Sequence, residues 1–275
     1  MSQPAISAPI GVFDSGIGGL SILRALRSEL PAEGFVYLAD NAHAPYGERD
    51  DPFIIERASL ISQALLAQHQ IKALVVACNT ATAAAIHLLR NNYPDLPIIG
   101  VEPALKPAAQ LSRNHRVGVM ATRSTLASVK FAALHDSLKD QAEFICQPCD
   151  GLASAIESAD PAWIESLCER YLEQMGVLGH TEQGIDLIVL GCTHYPLAQD
   201  ILHKIIEQTG HMVNLLDSGP PVARQTHKVL EQHGLLNPSL DAGYCSYRAT
   251  AESPQVQQAI ERWLGQEARV KVQAL

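Results

Sequence analysis

The chain has 275 residues, of which 47% are hydrophobic and 18% charged, with a formal net charge of −9. That size and composition suit one large or two ordinary globular domains and argue against disorder, while the acidic balance and the lack of a dense Lys/Arg run argue against a nucleic-acid surface. No apolar run approaches the roughly 20 residues of a membrane span, and Met1 to Pro9 shows no basic head followed by an apolar stretch, so the sequence predicts a cytoplasmic protein whose six cysteines are reduced.

Ile10 to Phe13 reads as a short strand that runs into Asp14-Ser15-Gly16-Ile17-Gly18-Gly19 and then a helix with Leu20, Leu23, Leu26 and Leu30 on one face, stopped by Pro31. The glycine turn matches neither the spaced dinucleotide fingerprint nor a Walker loop, although backbone N–H groups at such a helix start favour an anion. Phe35 to Asp40 is a second strand, followed by a loop through His43, Tyr46 and Gly47 and a helix from Phe53 to His69. Ala73-Leu74-Val75-Val76-Ala77-Cys78 is a buried strand ending on a thiol. Asn79-Thr80 and an alanine-rich helix come next, then the strand Ile98 to Val101 and a crossover at Glu102-Pro103.

A second series begins with the strand Val117 to Met120, which runs into Ala121-Thr122-Arg123-Ser124-Thr125 and a helix to about Leu138. The strand Glu143 to Cys146, helices from Gly151 to Glu157 and Pro161 to Met175, and the strand Leu187 to Leu190 follow. That last strand leads to Gly191-Cys192-Thr193-His194 and a helix from Leu197 to Gln208. Val213 to Leu216 is a strand meeting Asp217-Ser218-Gly219-Pro220, and a helix runs to Gln232. The tail holds a strand from Gly243 to Ala249, a helix from Pro254 to Leu264 and a strand from Arg269 to Gln273. Alternation of this kind predicts parallel α/β sheets.

The two series echo each other. Gly11-Val12-Phe13-Asp14-Ser15 resembles Gly118-Val119-Met120-Ala121-Thr122, and a strand ending on a thiol follows each at a similar distance. Ligands of open parallel sheets bind outside the carboxyl ends of the strands, so two facing halves would set Cys78 and Cys192 across one cleft. A thiolate on one side could remove a proton from a carbon and a thiol on the other could return one to the opposite face, which inverts a stereocentre. Both cysteines precede expected helices, whose N-termini lower a thiol pKa toward neutrality. For either cysteine alone, core packing is the simpler reading; the repeated frame moves the balance toward function. Cys146-Gln147-Pro148-Cys149 could be a redox pair or half a zinc site, but without a second such motif structural cysteines are favoured. Cys168 and Cys245 read as packing.

The motifs Asp14 to Leu20, Pro45-Tyr46-Gly47, Ala77 to Ala81, Gly191 to Pro196 and Asp217-Ser218, in this order and spacing, resemble the cofactor-independent glutamate racemases from Ile10 to about His227. The resemblance implies interconversion of L- and D-glutamate without cofactor or metal, supply of D-glutamate for peptidoglycan, and assembly as a homodimer. It implies Cys78 and Cys192 as acid/base thiols, Asp14 assisting one, and His194 assisting the other with support from Glu157. The substrate contacts it carries over are Asp14, Ser15, Tyr46, Gly47, Asn79, Thr80, Thr122, Thr125, Thr193 and His194. The implied fold is a pair of pseudo-symmetric flavodoxin-like α/β domains with the active site in the cleft between them. The first would comprise residues 1–103 with 215–275, and the second 104–214. A sister enzyme acting on aspartate and a non-catalytic anion-binding protein remain the alternatives.

Overall fold

The computed structural model describes residues 5–181, 183–265 and 269–275. The chain forms two compact units, one made of residues up to Val101 together with those from Gly219 onward, the other Glu102–Ser218. The first unit opens with β1 (Ile10–Asp14), α1 (Leu20–Glu29), β2 (Phe35–Ala39), α2 (Asp51–His69), β3 (Ala73–Val76), α3 (Asn79–Asn92) and β4 (Ile98–Gly100). The second contains α4 (Leu105–Leu111), β5 (Arg116–Ala121), α5 (Arg123–Ala127), α6 (Val129–Asp136), β6 (Glu143–Pro148), α7 (Leu152–Glu157), α8 (Pro161–Met175), β7 (Leu187–Leu190), α9 (Gln199–Gln208) and β8 (Asn214–Asp217). The chain then completes the first unit with α10 (Gly219–Gln232), β9 (Cys245–Ala249), α11 (Pro254–Leu264) and β10 (Val270–Val272).

Both sheets are parallel. The first has the order β10-β9-β2-β1-β3-β4 and the second β6-β5-β7-β8. The strand order 2-1-3-4 is therefore common to both, and each reverses direction between its first and third strands, the switch point at which such sheets bind ligands. β1, β2, β3 and β7 are buried along their whole length, as strands covered on both faces must be. In the first unit α1 packs against α10 and α11, while α2 packs against α3. Right-handed crossovers place these two groups on opposite faces of the sheet. Helix starts follow local chemistry: Asp50, Asp160 and Ser253 cap α2, α8 and α11 by accepting the N–H groups of Phe53, Trp163 and Val256, each with proline in the first turn.

The structure departs from the sequence reading in four places. Residues 102–103 and 215–218, assigned to the first domain, belong to the second unit, where β8 is laddered to β7 from Leu187–Asn214 to Leu190–Asp217. α4 went unseen; it is only seven residues long and carries Pro107 in its first turn. The helix expected to run through to Leu138 breaks at Ser128, which is extended and uses its side chain to cap Phe131 at the start of α6. The chain after Cys192 passes through a 3-10 turn, Tyr195–Ala198, before α9 begins.

A buried ion pair ties the margins of the first unit together. Lys72, fully buried just before β3, pairs with Glu33 and donates to the Ile6 carbonyl, while Glu33 Oε1 accepts the N–H of Asn237 in the returning segment at 2.8 Å. Lys72→Met would keep the volume but strand the Glu33 carboxylate. It should lower the free energy of unfolding of this unit by about 3–5 kcal/mol, read as a fall in the urea midpoint.

Candidate functional site

The first unit brings several of the residues singled out in the sequence to the ends of β1 and β3, at the switch point of its sheet. β1 ends on Asp14, fully buried, whose Oδ1 accepts the Gly16 N–H at 2.8 Å. Ser15 follows, also buried. The turn closes tightly because Gly19 has no side chain: a Cβ there would lie 2.5 Å from the Asp14 Cβ and 2.9 Å from the Tyr37 hydroxyl. That hydroxyl donates to the Gly16 carbonyl at 2.7 Å.

Beside it, β3 ends its ladder when the Ala77 N–H reaches the Phe13 carbonyl at 2.8 Å. Cys78 is then the N-cap of α3, its Sγ accepting the Ala81 N–H at 3.4 Å. The fourteen-residue helix directs its positive end at the sulfur. Asn79 and Thr80 occupy the first turn and are buried, and Asn79 Nδ2 has no hydrogen-bond partner among the described residues. A donor so placed costs about 1–3 kcal/mol unless something accepts from it, so it is suited to receive a ligand oxygen. Tyr46 and Gly47 lie in a 3-10 turn, Tyr46–Glu48. Tyr46 is fully buried in the same apolar cluster as Cys78, and its hydroxyl donates to Asp40 Oδ2 at 2.5 Å. Burial, then the Asp40 carboxylate, push the phenol well above its ordinary pKa and keep it protonated.

The second unit repeats the frame with different side chains. Thr122 follows β5 and caps α5, accepting the Thr125 N–H at 3.2 Å and donating to the Thr125 hydroxyl at 2.9 Å. β7 ends when the Gly191 N–H meets the Met120 carbonyl at 2.7 Å, an approach that a Cβ on Gly191, 2.9 Å from the same oxygen, would obstruct. Cys192 comes next, buried, with its Sγ 3.7 Å from His194 Nδ1. His194 Nε2 lies 2.6 Å from Oε1 of Glu157, the last residue of α7. Thr193 is buried between them in sequence. The turn is braced by Tyr195, whose N–H donates to the Cys192 carbonyl and whose hydroxyl donates to the Cys149 carbonyl.

Burial alone would disfavour the imidazolium of His194. Its bonds to Cys192 and Glu157 and the charges of both outweigh that, and hold the imidazole pKa well above the ordinary value. α3 begins directly after Cys78, which is its N-cap. Cys192 has instead a histidine backed by a carboxylate.

The expected residues therefore fall into two clusters. Asp14, Ser15, Tyr46, Gly47, Cys78, Asn79 and Thr80 belong to the first unit, and Thr122, Thr125, Glu157, Cys192, Thr193 and His194 to the second. The sequence reading missed Asp40, which holds the Tyr46 hydroxyl, and Arg57, which holds Asp40. One signal was present: Arg57 interrupts the apolar stripe Ile54, Ala58, Ile61, Leu65 of α2, and an arginine there needs a buried partner. Cys146 is exposed and Cys149 buried, and both are free thiols bonded to backbone carbonyls. Burial pushes Cys168 up to about 12 and Cys149 higher still. Among the described residues no group of three or more His, Cys, Asp or Glu is arranged to hold a metal, and no helix is long and apolar enough to cross a membrane.

The family model for Asp/Glu/Hydantoin racemase matches residues 10–226, and the chain belongs to that family. A glutamate racemase from Ectopseudomonas mendocina is 46% identical over 268 residues, covering 96% of this chain and 98% of the relative. Among solved structures, the glutamate racemase isoform RacE1 of Bacillus anthracis matches with a TM-score of 0.83 at 29% identity, covering 98% of each chain. The glutamate racemase of Francisella tularensis in complex with D-glutamate matches with a TM-score of 0.80 at 29% identity, again over 98% of each chain.

Because folding raises the His194 pKa, its protonation contributes stability that is complete below the ordinary histidine midpoint and is lost as pH rises through the raised one. In a titration of 15N-labelled imidazoles, His194 should stay protonated beyond the ordinary midpoint near 6.5. Glu157→Gln should move its midpoint down, and the pH at which this stability fades should move down with it.

Proposed function

We propose that this chain interconverts L- and D-glutamate without a cofactor, using Cys78 and Cys192 as the acid/base pair on the two faces of the substrate Cα. The observation that carries the reading is the repeated strand end. β3 and β7 occupy the same position in like-ordered sheets, each closes its ladder on the neighbouring first strand, and each delivers a cysteine two residues later. Such a pair supplies what inversion requires. One sulfur, as thiolate, takes the Cα proton; the carbanionic species is protonated on its other face by the second thiol, which is left as the thiolate for the reverse direction.

On this reading the α3 N-terminus and, by the family resemblance, Asp14 assist Cys78, while His194 backed by Glu157 assists Cys192. A dicarboxylate suits helix-start N–H groups and Asn79 Nδ2, which has no hydrogen-bond partner among the described residues. The relatives support glutamate as the amino acid, one of them having been solved with D-glutamate. On the same resemblance the product serves peptidoglycan synthesis, and the enzyme is a cytoplasmic homodimer.

The test is Cα deuterium exchange in heavy water with each enantiomer. Exchange and racemisation of glutamate without added cofactor support the reading. Exchange with aspartate alone would move it to the sister activity, and no exchange with either would leave a binding protein. Cys78→Ala and Cys192→Ala should each lower racemisation by about 10²–10⁴-fold, the range for one positioned acid/base group, with far-ultraviolet circular dichroism unchanged. Full turnover in either variant would refute the two-thiol mechanism.

A further inference from the structure

Asp40 follows β2, and its N–H reaches the Asp14 carbonyl at 2.9 Å, so it stands beside the end of β1. Its carboxylate is fully buried and is held by three side chains. Arg57 donates through Nε to Oδ2 and through Nη2 to Oδ1, both at 2.9 Å. The Tyr46 hydroxyl reaches Oδ2 at 2.5 Å, and His43 Nδ1 lies 3.0 Å from Oδ1. A buried carboxylate is tolerated only when satisfied in this way.

The loop over 41–48 is thereby pinned from within, at His43 and Tyr46, to the residue that precedes it. At its start Asn41 exchanges two 3.0 Å bonds with the backbone of Ala251. Burial would raise the Asp40 pKa, but the bonds from Arg57, Tyr46 and His43 bring it below its ordinary value, so the bracket stays charged. In the second unit the matching backbone bond, from the Cys149 N–H to the Ala121 carbonyl at 2.9 Å, carries a cysteine where the first has Asp40.

We infer that Asp40 and Arg57 are positioning residues: they hold the Tyr46–Gly47 segment closed beside Cys78 and through it set the affinity for the amino-acid substrate. The inference rests on the racemase reading for its substrate, but the holding of the segment beside Cys78 does not. Tyr46 is the side chain that transmits it, because it touches the carboxylate at one end and packs in the Cys78 cluster.

The experiment compares the wild-type enzyme with Asp40→Asn, which removes the charge, and Arg57→Lys, which keeps the cation but loses the fork. Three quantities are read: KM and kcat for glutamate, the melting temperature, and the rates at which iodoacetamide alkylates Cys78 and Cys192, followed by peptide mass spectrometry. Misplacing a substrate-positioning segment should raise KM by about tenfold, with a smaller change in kcat. It should also speed alkylation of the now less protected Cys78 by about tenfold, leaving Cys192 at its wild-type rate. Wild-type KM and an unchanged Cys78 to Cys192 ratio in the folded variants would overturn the inference, even if the melting temperature fell, because a merely structural role lowers stability without moving either. If Asp40→Asn fails to fold, Arg57→Lys decides. If the wild-type enzyme does not racemise glutamate, the functional reading fails, and the alkylation ratio still decides the bracket.

Discussion

A parallel ladder must stop somewhere, and here two of them stop in the same way. The Ala77 N–H reaches the Phe13 carbonyl and the Gly191 N–H reaches the Met120 carbonyl, and in both cases the next residue is cysteine. That last backbone bond fixes where each sulfur stands relative to the end of the neighbouring strand. It also requires that strands three and seven lie against strands one and five, which the order 2-1-3-4 secures in both sheets. Gly191 leaves room for the second of these bonds, since a Cβ there would lie 2.9 Å from the Met120 carbonyl oxygen.

The frames match, but the surroundings they hold do not. Cys78 enters a long helix directly and is its cap, so backbone dipoles act on the sulfur. Cys192 is followed by a short 3-10 turn, in which a helix terminus has less to offer; an imidazole and a carboxylate stand there, and the carboxylate is the final residue of a six-residue helix. One backbone plan thus sets a helix N-terminus beside one cysteine and an imidazole–carboxylate pair beside the other. The difference follows from where the helical turn begins, directly after Cys78 but two residues further on after Cys192.

Much of this was legible in the residues. Apolar runs such as Leu74 to Val76 and Leu187 to Leu190 are buried on both faces, and a strand with one face in water would have alternated instead. The Asp14 turn announces a tight strand-to-helix corner through its glycines. What escaped depends on which partner a residue takes, near or far in the chain. Whether Asn214–Asp217 closes the first sheet or the second is decided by which strand it pairs with, and its own apolar pattern is the same in either case. The break at Ser128 turns on one side chain capping the next helix in preference to continuing the last. Asp40 looked like the end of a strand because its partners come from a loop and a helix that only the fold brings back to it.

The first unit is assembled from both sides of the second, and this bears on how the protein emerges from the ribosome. α1 finds its neighbours α10 and α11, and β2 its outer neighbour β9, only after Glu102–Ser218 has been synthesised. The later unit in sequence is the earlier one available in full: its four strands are contiguous in the chain and can fold as soon as they are made, while the nascent first sheet waits with one flank uncovered. A chaperone that shields apolar helix faces would have its longest engagement with α1, and synthesis halted near residue 218 would leave a finished second unit attached to an unfinished first.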